Sequence, residues 1–191
     1  MSLVVAYKRE GVVYMGADTQ SSYGTTIERA LNESGFKISS LPNGVLLGMT
    51  GRVKAHQMIL AHKELFDIPH GCAFNKRHIV KNIIPKLSKL MNEVVEDKDS
   101  CTSSMEVSVL VAYKEKLFYI TRDFRVFDCN GYTAIGAGRD YVKYALSTIG
   151  GGDINESLLQ ALRTGAMFDS SVSAPYILID TKDREYKIVE E

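Results

Sequence analysis

With 191 residues and 45% hydrophobic content, the chain is long enough to bury about two thirds of its unfolded surface, and residues 1–191 are expected to form a single domain. Lys plus Arg number 23 and Asp plus Glu number 23, so the molecule as a whole offers no strong field to nucleic acid or to an anionic membrane. Three cysteines, Cys72, Cys101 and Cys129, lack CxxC spacing, which argues against a disulfide framework or a zinc site and for a reducing compartment. No charged-then-apolar leader opens the chain, and no apolar run approaches the roughly 18 residues that span a bilayer. The expectation is a soluble cytoplasmic protein.

In chain order, the apolar run Leu3 to Tyr7 is followed by the polar turn Lys8 to Gly11 and a second run from Val12 to Ala17, which predicts a hairpin. Both runs are nearly continuous in apolar residues, as in strands covered on two faces. Asp18 to Gly24 reads as a polar loop by composition. Lys37 to Ser39 precedes the turn Leu41-Pro42-Asn43-Gly44 and the apolar strand Val45 to Thr50; Asn-Gly favours the positive φ of a tight hairpin. Four short strands are therefore expected by Thr50.

After Gly51 the apolar spacing becomes helical, with Val53, Met58, Leu60 and Leu65 carrying a helix to about Phe66. A second helix is expected from about Asn75 to Val95, kinked at Pro85, and residues 96–104 read as a surface loop. Strands resume at 107–113, 117–121, around 126–128 and at 132–135. Gly136-Ala137-Gly138 leads into a helix closed by the glycines at 150–152, and Asp153 or Asn155 can cap the next helix, from about Glu156 to Phe168. The chain ends in a hairpin over residues 175–190. No repeat or linker interrupts this order, which fits two antiparallel sheets stacked between two helical layers, an α+β fold.

Five stretches carry a resemblance. GVVYMGADTQSS, GFKI, GVLLGMTGRVKAH, VSVLVAY and YTAIGAGRDYVKYAL together resemble the proteasome β-subunit family and its simpler bacterial relative, the HslV peptidase, in family order and spacing over most of the chain. The resemblance implies an N-terminal-nucleophile hydrolase of four-layer αββα architecture, assembled as a homo-oligomeric ring around an inner chamber. It is to the β type, since the extension that marks the α type is not seen. Ser2 falls on the family's N-terminal threonine nucleophile. Asp18 and Lys37 fall on the acid and lysine around it, and Gly51 on the residue whose backbone N–H binds the oxyanion. Asp169 falls near an aspartate that supports the N-terminus, Ser22 on a loop residue that hydrogen-bonds substrate backbone, and Met49 on a substrate-binding position. Two positions depart: the nucleophile is Ser rather than Thr, and Ala137 stands where many members have Ser.

The chemistry asked of these residues is specific. A serine hydroxyl is a weak nucleophile until a base removes its proton, and an N-terminal amine, with an unperturbed pKa of about 7.7 to 8.0, is a base near working pH. Removal of Met1 would put nucleophile and base on Ser2. Lys37 beside that amine would disfavour a second positive charge, Asp18 would hold Lys37 charged and oriented, and a glycine N–H at a strand-to-helix turn would bind the oxyanion. The expected reaction is hydrolysis of peptide bonds in intracellular protein degradation, without cofactor or metal. A catalytically silent scaffold of the same fold and an N-terminal-serine amidase acting on small amides are the alternatives. His56 and His62 are six residues apart, not the i, i+4 spacing of a helical metal pair. Cys129 beside Asn130-Gly131 reads as a turn cysteine. No GxxxxGK[ST] motif occurs, so any ATP-dependent unfoldase would be a separate chain.

Overall fold

The structure is a computed structural model that describes residues 2–23, 26–30, 32–94, 105–148 and 152–190. The two opening apolar runs pair as a hairpin, β1 (Leu3–Arg9) and β2 (Val12–Asp18). The next stretch differs from expectation. Instead of a plain loop, Gln20–Tyr23 (β3) and Thr26–Arg29 (β4) form a small two-stranded ribbon of their own. Its strands are polar, and β4 is exposed throughout. Without an apolar face, such a ribbon leaves no alternating pattern to read from composition.

Ile38–Ser40 (β5) and Leu46–Gly51 (β6) pair across the Pro42-Asn43-Gly44 turn. The helix after Gly51 is shorter than its apolar spacing predicts. Val53–Ala61 (α1) is α-helical and Lys63–Phe66 tightens into a 3-10 turn. The predicted kink at Pro85 takes a particular form. Lys76–His78 (α2) opens the second helix, Ile79–Ile83 is wound as a π-helix, and Ile84–Val94 (α3) resumes the α pitch. Proline has no N–H to give and its ring crowds the carbonyl four residues back, and the widened π turn before Pro85 absorbs both. The loop expected at 96–104 lies outside the described residues.

Val107–Tyr113 (β7), Lys116–Ile120 (β8), Val126–Asp128 (β9) and Tyr132–Gly136 (β10) follow as expected. Then come Arg139–Thr148 (α4) and Ile154–Phe168 (α5), the latter capped by the Asp153 carboxylate on the Glu156 N–H at 3.0 Å. Tyr176–Asp180 (β11) and Lys187–Val189 (β12) close the chain.

Two five-stranded antiparallel sheets result, ordered β10-β1-β2-β11-β12 and β5-β6-β7-β8-β9. The continuous apolar runs are explained by their two neighbours. Leu3 and Val5 face α4 and α5, in a core with Val142, Leu158 and Leu162. Val4 and Ala6 face the other sheet, against Leu46, Leu110 and Leu117. A third core buries Leu47, Met49 and Val109 under Ile59, Ile83 and Leu87 of the helices between Val53 and Val94. The layers are helix, sheet, sheet, helix. No helix among the described residues is long and apolar enough to cross a membrane.

Candidate active site

The start of β1 is held from two sides. Asp18, at the end of β2 and fully buried, accepts the Leu3 N–H on Oδ1 at 2.8 Å. On the other flank the Ala137 N–H donates to the Ser2 carbonyl at 2.8 Å. Gly136, opposite Leu3 in the β1–β10 register, has φ +95°, and a Cβ there would lie 1.8 Å from the Ser2 carbonyl oxygen. Only a glycine lets β10 approach the chain start this closely.

Lys37, just ahead of β5 and 4% exposed, extends between the sheets to the same carboxylate. Its Nζ lies 2.7 Å from Asp18 Oδ1 and donates to the Gln20 carbonyl at 2.5 Å. One carboxylate oxygen thus joins the chain start to a buried ammonium. Desolvation pulls the lysine below its usual value and pushes the carboxyl above its own, while the attraction of each for the other opposes both shifts. Asp18 Oδ2 has no hydrogen-bond partner among the described residues. On α1, His56 is pushed down to about 4 by burial first and the lysine charge second, so its ring is neutral at pH 7. Its Nε2 has no partner among the described residues.

Gly51 ends β6 with φ +139°, and a Cβ there would fall 2.2 Å from the Glu106 carbonyl oxygen. Alternate N–H groups along an antiparallel strand face its two neighbours. The Met49 N–H donates to the Lys37 carbonyl at 2.8 Å, so the Gly51 N–H, two residues on, lies on that edge, beyond the start of β5. Ser2 and Gly51 together line an open cleft of about 920 Å³, whose far wall is built by β8 and the turn after it.

The structure therefore brings together Ser2, Asp18, Lys37 and Gly51. Met1 lies outside the described residues. Ser22 sits exposed on β3, paired with Ile27, beside the site and not in the cleft. Met49 is fully buried in the core under α1 and does not line the cleft. Asp169 caps the end of α5, and its Oδ1 accepts the N–H and hydroxyl of Ser171 at 3.0 and 2.5 Å. It packs against the 136–138 turn through Gly138. Ala137 lines the cleft and meets Ser2 through its backbone N–H. No group of three or more His, Cys, Asp or Glu among the described residues could hold a metal ion. Sequence reasoning missed the Gln20 carbonyl, which leaves no side-chain signal. It also missed His56, which feels the Lys37 charge from α1.

No family model matches the sequence, and no curated protein matches it. Solved structures do match. Thiobacillus denitrificans BPH in complex with epoxomicin superposes with a TM-score of 0.73 at 18% identity, covering 99% of this chain and 100% of that one. Anbu, the ancestral β-subunit, from Yersinia bercovieri gives 0.70 at 15% identity over 99% and 87%. Eukaryotic HslV from Trypanosoma brucei gives 0.67 at 16% over 93% and 98%. The fold is that of the proteasome-like N-terminal-nucleophile hydrolases. The likeness runs nearly end to end in all three comparisons, so the proteasome-like fold accounts for the whole arrangement of layers. At these identities the chemistry rests on this chain's own residues.

Proposed function

We propose that the chain is a proteasome-like peptidase subunit that hydrolyses peptide bonds through Ser2 once Met1 has been removed, within intracellular protein degradation in the cytoplasm. The observation that carries this reading is the single Asp18 oxygen shared by the Leu3 N–H and the Lys37 ammonium. It fixes the residue after Ser2 and sets a buried lysine beside it. A lysine pulled down by burial is an effective neighbour for a nucleophile, because it releases a proton more readily than a solvated one and discourages a second charge on the nearby amine. Ser2 Oγ loses its proton to its own amine and attacks the substrate carbonyl. The Gly51 N–H receives the developing oxyanion, and the same amine returns the proton to the leaving nitrogen. Water then attacks the acyl-enzyme, with the amine taking its proton and returning it to Ser2 Oγ as the Oγ–carbonyl bond breaks, which releases the acid product and restores the free enzyme. No step needs a cofactor. Likeness to HslV and Anbu supports assembly into a homo-oligomeric ring; a separate ATP-dependent unfoldase feeding polypeptide to it belongs to the proposal alone.

Asp169 and Ser22 are assigned supporting and substrate-backbone roles on the same reading. The engagement of Asp169 with Ser171, together with Ala137 in place of a hydroxyl, favours a second reading, a catalytically silent scaffold. Turnover of unfolded protein or of fluorogenic peptides separates the two. Ser2→Ala is expected to abolish turnover, and Lys37→Met to lower it at least about 100-fold. Turnover unaltered in both variants would refute the assignment, and cleavage of small amides alone would favour the amidase.

A further inference from the structure

The cleft beside Ser2 has an unequal charge. Among the residues lining it are four arginines, Arg52, Arg122, Arg125 and Arg139, and two carboxylates, Glu106 and Asp123. Both carboxylates are already engaged by arginines of the same wall: Arg52 Nε lies 3.2 Å from Glu106, and Arg125 Nε lies 2.7 Å from Asp123. Arg139 has a loose contact at 3.7 Å with Asp140, its neighbour on α4. Arg122 is exposed and makes no ion pair with a described residue. The four guanidinium groups come from three places in the fold: the turn after β6, the turn after β8, and the start of α4. All edge one hollow that also contains the proposed nucleophile and Gly51. With Glu106, Asp123 and Asp140 set against the four arginines, the side of the site they edge keeps a small positive excess.

We infer that this cleft selects polypeptide segments carrying carboxylates. The inference rests on the peptidase reading for its cleavage consequence, though binding can be measured without cleavage. A planar guanidinium binds a carboxylate through two parallel N–H donors, with more direction than a lysine can supply. These arginines are well exposed, Arg52 at 73%, Arg125 at 68% and Arg139 at 55% of the side chain, so their attraction for carboxylates is screened by salt. Side-chain carboxylates and a peptide's own C-terminal carboxylate share this chemistry. The cleft is open and about 920 Å³ in volume, room for several residues of extended chain and not only for a terminus.

The test is fluorescence anisotropy on the full chain carrying Ser2→Ala, titrated against labelled decapeptides. One has glutamates at alternate positions along its length, one has glutamines there, and one has lysines, all amidated. A fourth is the glutamine peptide with a free C-terminus. The glutamate peptide is expected to bind at least about tenfold more tightly than the glutamine peptide at low salt, with the difference collapsing near 0.5 M salt. It should disappear in the double variant Arg122→Glu, Arg125→Glu. Tight binding of the free-terminus glutamine peptide alone would assign the wall to chain ends and overturn the side-chain preference. Equal affinity for the glutamate and glutamine peptides would overturn the inference entirely. Acidic preference in Ser2→Ala, combined with no turnover by the unsubstituted chain, would sink the peptidase reading and leave the cleft assignment standing. Turnover without acidic preference would do the reverse.

Discussion

Asp18 closes the first apolar hairpin, and its position decides the rest of the site. A carboxylate fully buried at a strand end must be answered by donors, because an uncompensated charge there would cost several kcal/mol; the Leu3 N–H and the Lys37 ammonium supply them. Asp18 and Lys37 were legible in the sequence through the resemblance carried by GVVYMGADTQSS and GFKI. His56 was not, since its significance comes from feeling the charge of Lys37, which reaches it from a strand edge to a helix. It carries a pH prediction. Its folded value of about 4 lies below the ordinary 6.5, so the fold favours the neutral ring. That contribution is fully present above pH 6.5 and is lost as pH falls toward 4. A fully closed site would lose about 3 kcal/mol over this interval, and the partly buried His56 is expected to lose about 2 kcal/mol or less. Thermal melts from pH 7 to 4.5 check this. His56→Leu should flatten the acid decline, and an unchanged decline would show that the ring already meets water.

At the scale of elements, the turns contribute most to the site. Gly51 and Gly136 both hold φ values that side chains rarely adopt, and a Cβ at either would strike a backbone carbonyl. The strand-glycine-helix pattern was readable for both, because glycine at the end of an apolar run marks a turn. The 1.8 Å approach to Ser2 was not readable, since it depends on β10 pairing with a strand more than a hundred residues earlier. Gly136→Ala is expected to cost about 2–3 kcal/mol, a fall in melting temperature of about 5–10 °C, and to displace the start of β1. Differential scanning calorimetry alongside peptide turnover measures both effects. Wild-type melting and turnover would show that Ser2 needs no such clamp. The polar β3–β4 ribbon and the π turn before Pro85 escaped the sequence reading for a different reason. Neither has an apolar periodicity of its own: the first is polar, with β4 exposed throughout, and the second keeps the helix's stripe while changing its pitch.

For the whole molecule, the order of strands and helices sufficed to predict two sheets between helical layers. Nearly continuous apolar strands require cover on both faces, and only a stacked arrangement supplies it. The arginine wall was hidden because it assembles turns far apart in sequence within a chain of balanced overall charge. The nucleophile's amine exists only if the bond before Ser2 is cut. Intact-mass measurement of the protein made without added leader residues tests that claim most directly. The account predicts a mass short by one methionine, with Ser2 as the first residue. Retention of Met1 throughout the population would contradict it.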